Sequence, residues 1–300
     1  GGAGAAGRPQ GARFTVDTLA QPSVGGDFAV SGMAPGVRSL RLVVDGDLAQ
    51  AQLITPQADG RWQATVDTSR HIDAAAEHRL VAVTTDALKG QLRATPAQRF
   101  RVERAWAPLA DVADPAGDDR GPSGRYVYPV DASFGPRHPM DIQRVQVAGA
   151  GGALRLDLTM ADLSTVWNPA NGFDHVAFTV FVELPGQEGG ASVMPLQNGS
   201  LPEGMRWHRR LRVHGWSNAL FSPQGASASH EGTAVTPGAH IEVDAPARRV
   251  RFTLPAAALG GLRSLSGVRL YINTWDYDGG YRPLSPTPQA RSIGGGDPNT

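Results

Sequence analysis

Acidic side chains cluster on two glycine-rich loops at a spacing that suits a hard cation. The first loop carries Asp114, Asp118 and Asp119, and the second carries Asp276 and Asp278 in a D-x-D-G pattern. Ca²⁺ takes six to eight oxygens from loops that wrap around it, and alternate acids direct their oxygens at one point. The sequence therefore predicts one structural Ca²⁺ held by carboxylates of both loops, with backbone carbonyls completing the shell.

The same acids have a second interpretation, which is turn chemistry. Asp side chains commonly bond their own backbone in turns that are rich in glycine and proline. Arg120, Arg125 and Arg282 lie close enough in sequence to pair with the acids. The D-x-D-G segment is not an EF-hand, because the downstream glutamate is missing. The residues alone leave the two interpretations open.

Aromatic side chains beside amides and acids indicate carbohydrate binding. A pyranose presents an apolar C–H face and a rim of hydroxyls, so it binds an aromatic ring flanked by amides or carboxylates. Aromatic residues on loops suit this role better than those inside strands, which are usually buried. Core packing is the alternative for each, and Trp207 most resembles a core residue. The predicted carbohydrate-binding residues are Trp167, Asn171, Trp216, Trp275 and Tyr277.

No catalytic residue is predicted. The sequence has no H-E-x-x-H, no G-x-S-x-G and no cysteine, and no two carboxylates stand out as the facing pair of a glycosidase. His71 and His78 flank an alanine-rich turn and are predicted to be solvated. These features favour a non-catalytic module.

Charge and hydropathy exclude several classes of partner. The formal net charge is zero, whereas a nucleic-acid-binding protein would show a basic stripe. No apolar run approaches the length that spans a bilayer, so we expect no membrane insertion. The chain begins Gly-Gly-Ala-Gly without a methionine, from which we expect a piece of a longer polypeptide.

Short alternating apolar runs separated by turn residues predict an all-β protein. Runs every eight to twelve residues in the first third are typical of an immunoglobulin-like sandwich, and further alternating runs after it predict a second, larger β domain. The predicted divisions are a flexible segment at 1–11, an immunoglobulin-like accessory domain at 12–105, the larger sandwich at 106–291 and a flexible tail at 292–300.

Ordered motifs in the second part give a family resemblance. They are D-P-x-G-D-D-x-G-P from Asp114, Y-V-Y-P from Tyr126, W-N-P-A-N-G-F from Trp167, V-H-G-W from Val213 and F-T-L-P from Phe252. Together they make residues 111–291 similar to the C-terminal, carbohydrate-binding-like module of glucodextranase and related α-glucan-active enzymes. The resemblance implies a larger, jelly-roll-like β-sandwich of carbohydrate-binding type, akin to sugar-binding modules, some of which carry a structural calcium.

The resemblance also implies a function. We expect a non-catalytic, α-glucan- or starch-binding region of a larger secreted glycoside hydrolase, with a catalytic domain upstream. The expected location is outside a bacterial cell, in the periplasm or at the cell surface. The alternative is a structural or envelope-anchoring module that binds no soluble sugar. A free-standing hydrolase is a third hypothesis, weakened by the lack of a catalytic pair.

Overall fold

The protein is built almost entirely from β-strands, in two units. The computed structural model describes residues 13–85, 90, 92–114 and 140–276. The units are Gly1–Ala105 and Trp106–Thr300. The predicted fold, an immunoglobulin-like sandwich followed by a larger β-sandwich, is confirmed. Within the described part of the chain, no helix has the length and apolar character that a membrane crossing needs.

The strands of the first unit form two sheets. The strands are β1 (Thr15–Val16), β2 (Ser23–Val24), β3 (Phe28–Met33), β4 (Leu40–Val44), β5 (Gln52–Ile54), β6 (Arg61–Val66), β7 (His78–Thr85), β8 (Leu92–Ala94) and β9 (Gln98–Val102). One sheet has the order β1-β3-β6, and the other has the order β2-β9-β7-β4-β5, with β8 added beside β7. A short 3₁₀ turn, Leu48–Gln50, precedes β5.

Alternating side chains build the core of the first unit. Every second residue of β7 is buried, including Leu80 and Ala82, and Trp62 of β6 is 2% exposed. Because successive side chains of a strand point to opposite faces, this pattern places one face of each sheet in the core. Phe100 and Leu40 complete the same hydrophobic cluster.

The second unit is a sandwich of two five-stranded antiparallel sheets. The strands are β10 (Ala107–Ala113), β11 (Ile142–Ala150), β12 (Ala153–Met160), β13 (Val176–Glu183), β14 (Val193–Met194), β15 (Gly199–Ser200), β16 (Arg209–His214), β17 (Ser217–Ser222), β18 (Thr233–Val235), β19 (His240–Asp244), β20 (Arg249–Leu254) and β21 (Arg269–Asp276). The two sheets have the orders β10-β11-β12-β20-β19 and β18-β17-β16-β13-β21. A 3₁₀ turn, Ala256–Leu259, follows β20.

Strand β13 is buried on both faces. One face packs into the main core of the sandwich through Val176, Phe178 and Val180. On the other face, Phe181 packs against Trp207, which is fully buried as predicted. This double burial explains why the sequence of β13 is apolar without alternation.

Candidate functional site

Two tryptophans form an aromatic surface at the end of the second sheet of the larger sandwich. The rings of Trp167 and Trp216 have centroids 6.5 Å apart and planes inclined by 28°. Trp216 is 46% exposed, and Trp167 is half-buried. Val166, which is 66% exposed, precedes Trp167. We call Trp167 and Trp216 the aromatic platform.

A buried histidine supports the platform. The imidazole of His175 stacks on the indole of Trp167, with centroids 3.7 Å apart and planes at 17°. His175 is fully buried and adopts a left-handed backbone conformation, with φ at 68°. This conformation is uncommon for a residue with a side chain and indicates a locally constrained backbone. One face of Trp167 therefore rests on the protein interior.

Asp174 fixes both the histidine and the tryptophan. Its Oδ1 lies 2.5 Å from Nδ1 of His175, and its Oδ2 accepts a hydrogen bond of 2.6 Å from the backbone N–H of Trp167. Asp174 is fully buried. Since a buried carboxylate is costly without partners, these contacts bind the platform loop tightly to the sandwich.

Ser164, His175 and Asp174 are a serine, a histidine and an aspartate in contact, yet they do not form a catalytic relay. The hydroxyl of Ser164 lies 3.2 Å from Nδ1 of His175, the same nitrogen that contacts Asp174. A relay needs the acid on one ring nitrogen and the nucleophile on the other. Ser164 is also only 5% exposed. The geometry is that of a structural support.

Asn171 joins the two loops that carry the platform. Its side-chain Nδ2 donates to the backbone oxygens of His214 (2.9 Å) and Ser217 (3.2 Å), and its backbone N–H donates to the oxygen of Gly215 (2.8 Å). A Cβ on Gly215 would lie 2.6 Å from the carbonyl oxygen of Phe173, so this close approach requires glycine. In the structure, the amide group of Asn171 positions Trp216 relative to Trp167.

His214 supports Trp216 from the preceding strand. Its Nδ1 accepts a hydrogen bond of 3.2 Å from the backbone N–H of Trp216. Burial, aided by the nearby charge of Arg212, lowers the pKa of His214 to about 4. The imidazole is therefore neutral at pH 7 and able to accept this bond.

Trp275 lies on β21, the strand that pairs with β13 at the edge of the second sheet. Its residue partner on β13 is Ala177. Trp275 is half-buried and packs against the main core of the sandwich. The fifth predicted residue, Tyr277, lies outside the described residues. The structure thus brings Trp167, Asn171 and Trp216 together directly.

The residues that connect the two acidic loops to their strands lie at the same corner of the sandwich. Thr274 donates its hydroxyl to the backbone oxygen of Met140 (2.7 Å), two residues before Asp276. The backbone N–H of Asp114 donates to the oxygen of Gln143 (2.8 Å). Both contacts therefore fall on segment 140–143, which carries a further acid, Asp141.

Three acids lie on the segments that meet at this corner, although their carboxylates do not form a group within ligating distance of one another among the described residues. Asp276 is fully buried, Asp141 is 3% exposed and Asp114 is partly buried. Carboxylate and carbonyl oxygens are the ligands that Ca²⁺ binds in proteins. The other predicted ligands, Asp118, Asp119 and Asp278, lie outside the described residues.

Several acidic side chains of the larger sandwich form ion pairs with arginines. The hydrogen bond from Arg269 lowers the pKa of Glu183, so this carboxylate is ionised at neutral pH. These carboxylates form ion pairs within the sandwich. The pairs are Asp111 with Arg144, Asp157 with Arg251, Glu183 with Arg269, Glu231 with Arg212 and Asp244 with Arg249.

Sequence reasoning did not single out Asp174, His175 or Asp141. A signal was present for the first two, because an Asp–His pair directly follows the Asn-Gly-Phe of the Trp167 motif. Asp141 offers a weaker signal, as one acid at the start of a strand. Their burial depends on contacts with residues far along the chain, which the local pattern does not reveal.

Comparisons with known proteins agree with the resemblance found in the sequence. A family model described as the C-terminal binding module, SLH-like, of glucodextranase matches residues 109–300. No match is found among the curated proteins.

Two solved structures show weak similarity. A cycloalternan-degrading enzyme from Trueperella pyogenes, in complex with isomaltose, is 12% identical with a TM-score of 0.20; the match covers 85% of this chain and 31% of that enzyme. The chain therefore spans about a third of that enzyme's length. A DUF3823 family protein from Bacteroides ovatus is 10% identical with a TM-score of 0.14, covering 70% of this chain and 91% of that protein. Both similarities are too weak to indicate a shared fold.

Proposed function

Since the chain belongs to the family of glucodextranase C-terminal binding modules, we propose that it is a non-catalytic carbohydrate-binding region whose ligand is an α-glucan. The observation that carries this proposal is the aromatic platform. Trp216 exposes 46% of its surface beside Trp167, and the indole of Trp167 stacks on the buried imidazole of His175. Neighbouring aromatic side chains at the surface often belong to a ligand-binding site.

The platform suits a chain of pyranose rings. Each sugar has an apolar C–H face that packs on an indole, so two neighbouring indoles offer contact to more than one sugar unit. The 28° angle between the two rings matches a curved chain better than a flat one. An α-glucan is curved, whereas cellulose is flat, and this difference supports α-glucan as the ligand.

We place this region in a larger secreted glycoside hydrolase of a bacterium. The support is the family description, which refers to the C-terminal part of an enzyme. On this proposal, a catalytic domain lies upstream in the same polypeptide, and the protein acts outside the cell, in the periplasm or at the cell surface. The present chain would hold the enzyme on its polysaccharide.

A second candidate function is anchoring to the cell envelope without binding soluble sugar. The family is described as SLH-like, and this description favours the anchoring function. The two functions differ in the polysaccharide that retains the chain, which would be starch or dextran in the first case and isolated cell-wall material in the second.

The experiment is a binding assay on insoluble starch, cross-linked dextran, cellulose and purified bacterial cell walls. We expect retention on starch or dextran, and about 10-fold weaker retention of Trp216→Ala, since loss of a stacked aromatic costs about 1–3 kcal/mol by analogy with base stacking. Trp106→Ala is the matched control, because Trp106 lies away from the platform. Its ring contacts Arg155 of the other sheet of the sandwich through a cation–π interaction, with the guanidinium carbon 4.9 Å from the ring centroid.

Two results would reject the proposal. One is equal retention of wild type and Trp216→Ala on starch and dextran. The other is retention on cell walls alone, which would favour anchoring. Release of reducing sugar from α-glucans, abolished by replacing one acidic residue, would show that the chain is an enzyme.

A further inference from the structure

Three side chains with metal-ligating atoms meet in the first unit, outside the residues that the family model matches. They are Asp45, in the turn after β4, His71, in the connection between β6 and β7, and His78, the first residue of β7. One ligand atom from each lies within 4.8 Å of the others. Three separate segments of the sandwich therefore converge on this cluster.

The cluster is ordered by hydrogen bonds and ring contacts. Oδ2 of Asp45 lies 2.6 Å from Nδ1 of His78, and Oδ1 of Asp45 accepts from the backbone N–H of Arg79 at 2.9 Å. The imidazoles of His71 and His78 have centroids 4.3 Å apart, with planes at 46°. Phe100 packs against His78 at 5.3 Å and provides an apolar wall.

His78 is buried, in contrast to the solvated position that the sequence predicts. Its side chain is only 9% exposed. Its Nε2 is buried and has no hydrogen-bond partner among the described residues. Nδ1 of His78 is the ring nitrogen next to the Asp45 carboxylate, so it is the His78 atom that could share an ion with Asp45 and His71, while Nε2 faces the interior.

One cation faces the cluster. Arg104 donates a hydrogen bond to the backbone oxygen of His71.

We propose that Asp45, His71 and His78 form a binding site for one transition-metal dication of the Zn²⁺ type. Two imidazoles and one carboxylate are a donor set that Zn²⁺ accepts, whereas Ca²⁺ requires oxygens. Ligands of a tetrahedral ion lie about 3.3 Å apart for bonds of about 2.0 Å, so small side-chain shifts from the present spacing are enough. Solvent completes the shell on the side of Asp45, whose side chain is 42% exposed.

The ion would stabilise the first unit. It would tie the β4 turn, the β6–β7 connection and the start of β7 to one another. Because the three ligands come together only in the folded chain, binding favours the folded state by mass action. The site is independent of the aromatic platform, which lies in the other unit.

The test uses the full chain without an affinity tag, after EDTA treatment and dialysis. We expect one equivalent of Zn²⁺ by calorimetry, a raised Tm with Zn²⁺, and visible absorption bands with Co²⁺ as a spectroscopic probe. His71→Ala is the main variant, since His71 is half-buried and its removal spares the core. It should weaken Zn²⁺ binding by about 10-fold or more and abolish the rise in Tm. His230→Ala, in an exposed loop of the other unit, is the control and should bind as wild type does.

Asp45→Asn provides a second, conservative variant. Asparagine tolerates the positive φ of 54° at this position and keeps the acceptor for Arg79, but removes the negative charge. It should also weaken Zn²⁺ binding. The proposal is overturned if Zn²⁺ binds with a Kd weaker than about 1 mM with no change in Tm, or if His71→Ala binds as wild type does. Neither result would affect glucan binding by the other unit.

Discussion

The indole of Trp167 lies flat on the imidazole of His175, with ring centroids 3.7 Å apart. This contact makes the two tryptophans of the platform unequal. Trp167 covers a buried histidine, and its backbone N–H is held by the buried carboxylate of Asp174. Trp216 is 46% exposed at the surface. One residue therefore contributes to both folding and binding, and the other mainly to binding.

We predict that Trp167→Ala lowers the free energy of unfolding by about 1–3 kcal/mol, less than a fully buried tryptophan would cost, because only part of the ring is covered. Trp216→Ala should change it by less than about 1 kcal/mol. Both variants should bind α-glucan more weakly. Urea denaturation and retardation in starch gels measure the two effects separately. Equal destabilisation by the two substitutions would contradict the unequal roles.

A second prediction concerns pH. The pKa of His214 is about 4 in the folded protein and about 6.5 in the unfolded chain. Between these values the unfolded chain binds a proton that the folded protein does not, so stability rises with pH. His214 therefore contributes full stability above pH 6.5, and its contribution falls by up to about 3 kcal/mol as the pH drops to 4.

The matched variant for this prediction is His214→Asn, which retains an acceptor for the backbone N–H of Trp216 and does not titrate in this range. Its free energy of unfolding should depend less on pH between 6.5 and 4 than that of the wild type. His230→Asn, in an exposed loop, should keep the slope of the wild type. If His214→Asn also keeps that slope, the histidine is not held neutral by burial.

The strands were predictable because their side chains obey short-range rules. Leu154, Leu156 and Leu158 alternate with polar residues and are all buried on one face of β12. Trp207 was predicted to be core and is fully buried, although it lies in the connection between β15 and β16. The burial of His78 was not predictable. It depends on Asp45, which lies 33 positions away in the sequence, whereas the neighbouring alanine-rich turn suggested solvent.

The platform was predictable in residue type but not in construction. Aromatic rings beside asparagine indicated Trp167, Asn171 and Trp216 from the loops. The role of Asn171 follows only from the folded structure, where its amide holds the backbone of the β16–β17 turn. The support from His175 likewise depends on a left-handed backbone conformation, for which no glycine provides a local signal.

A third prediction concerns calcium, which we propose as a structural ion that joins the two acidic loops through carboxylates of Asp114, Asp118 or Asp119 and of Asp276 or Asp278. Removal of Ca²⁺ with EDTA should lower the Tm, and excess Ca²⁺ should restore it, because the ion binds only the folded state. Mg²⁺ at the same concentration should restore less, since it requires a tighter octahedral shell and keeps its waters. Asp114→Asn, which is partly exposed, should reduce the response to Ca²⁺.

Zn²⁺ bound in the first unit would also be removed by EDTA, so the calcium experiment is carried out on His71→Ala. Chelation followed by addition of Ca²⁺ alone to this variant isolates the calcium effect from the zinc site. An unchanged Tm in His71→Ala, both after chelation and after addition of Ca²⁺, would leave turn chemistry and arginine pairing as the role of these acids.

The last prediction separates the two units. Each has its own buried cluster, formed around Trp62, Leu80 and Phe100 in the first and around Leu156, Phe178 and Phe252 in the second. A domain with its own core folds alone when few contacts cross its boundary. We therefore expect residues 106–300, produced alone, to unfold cooperatively and to be retained by starch or dextran as the full chain is. Residues 1–105, produced alone, should unfold cooperatively, show a raised Tm with Zn²⁺ and pass through the same matrices without retention. Retention that requires both pieces in one chain would show that the aromatic platform is not a complete binding site.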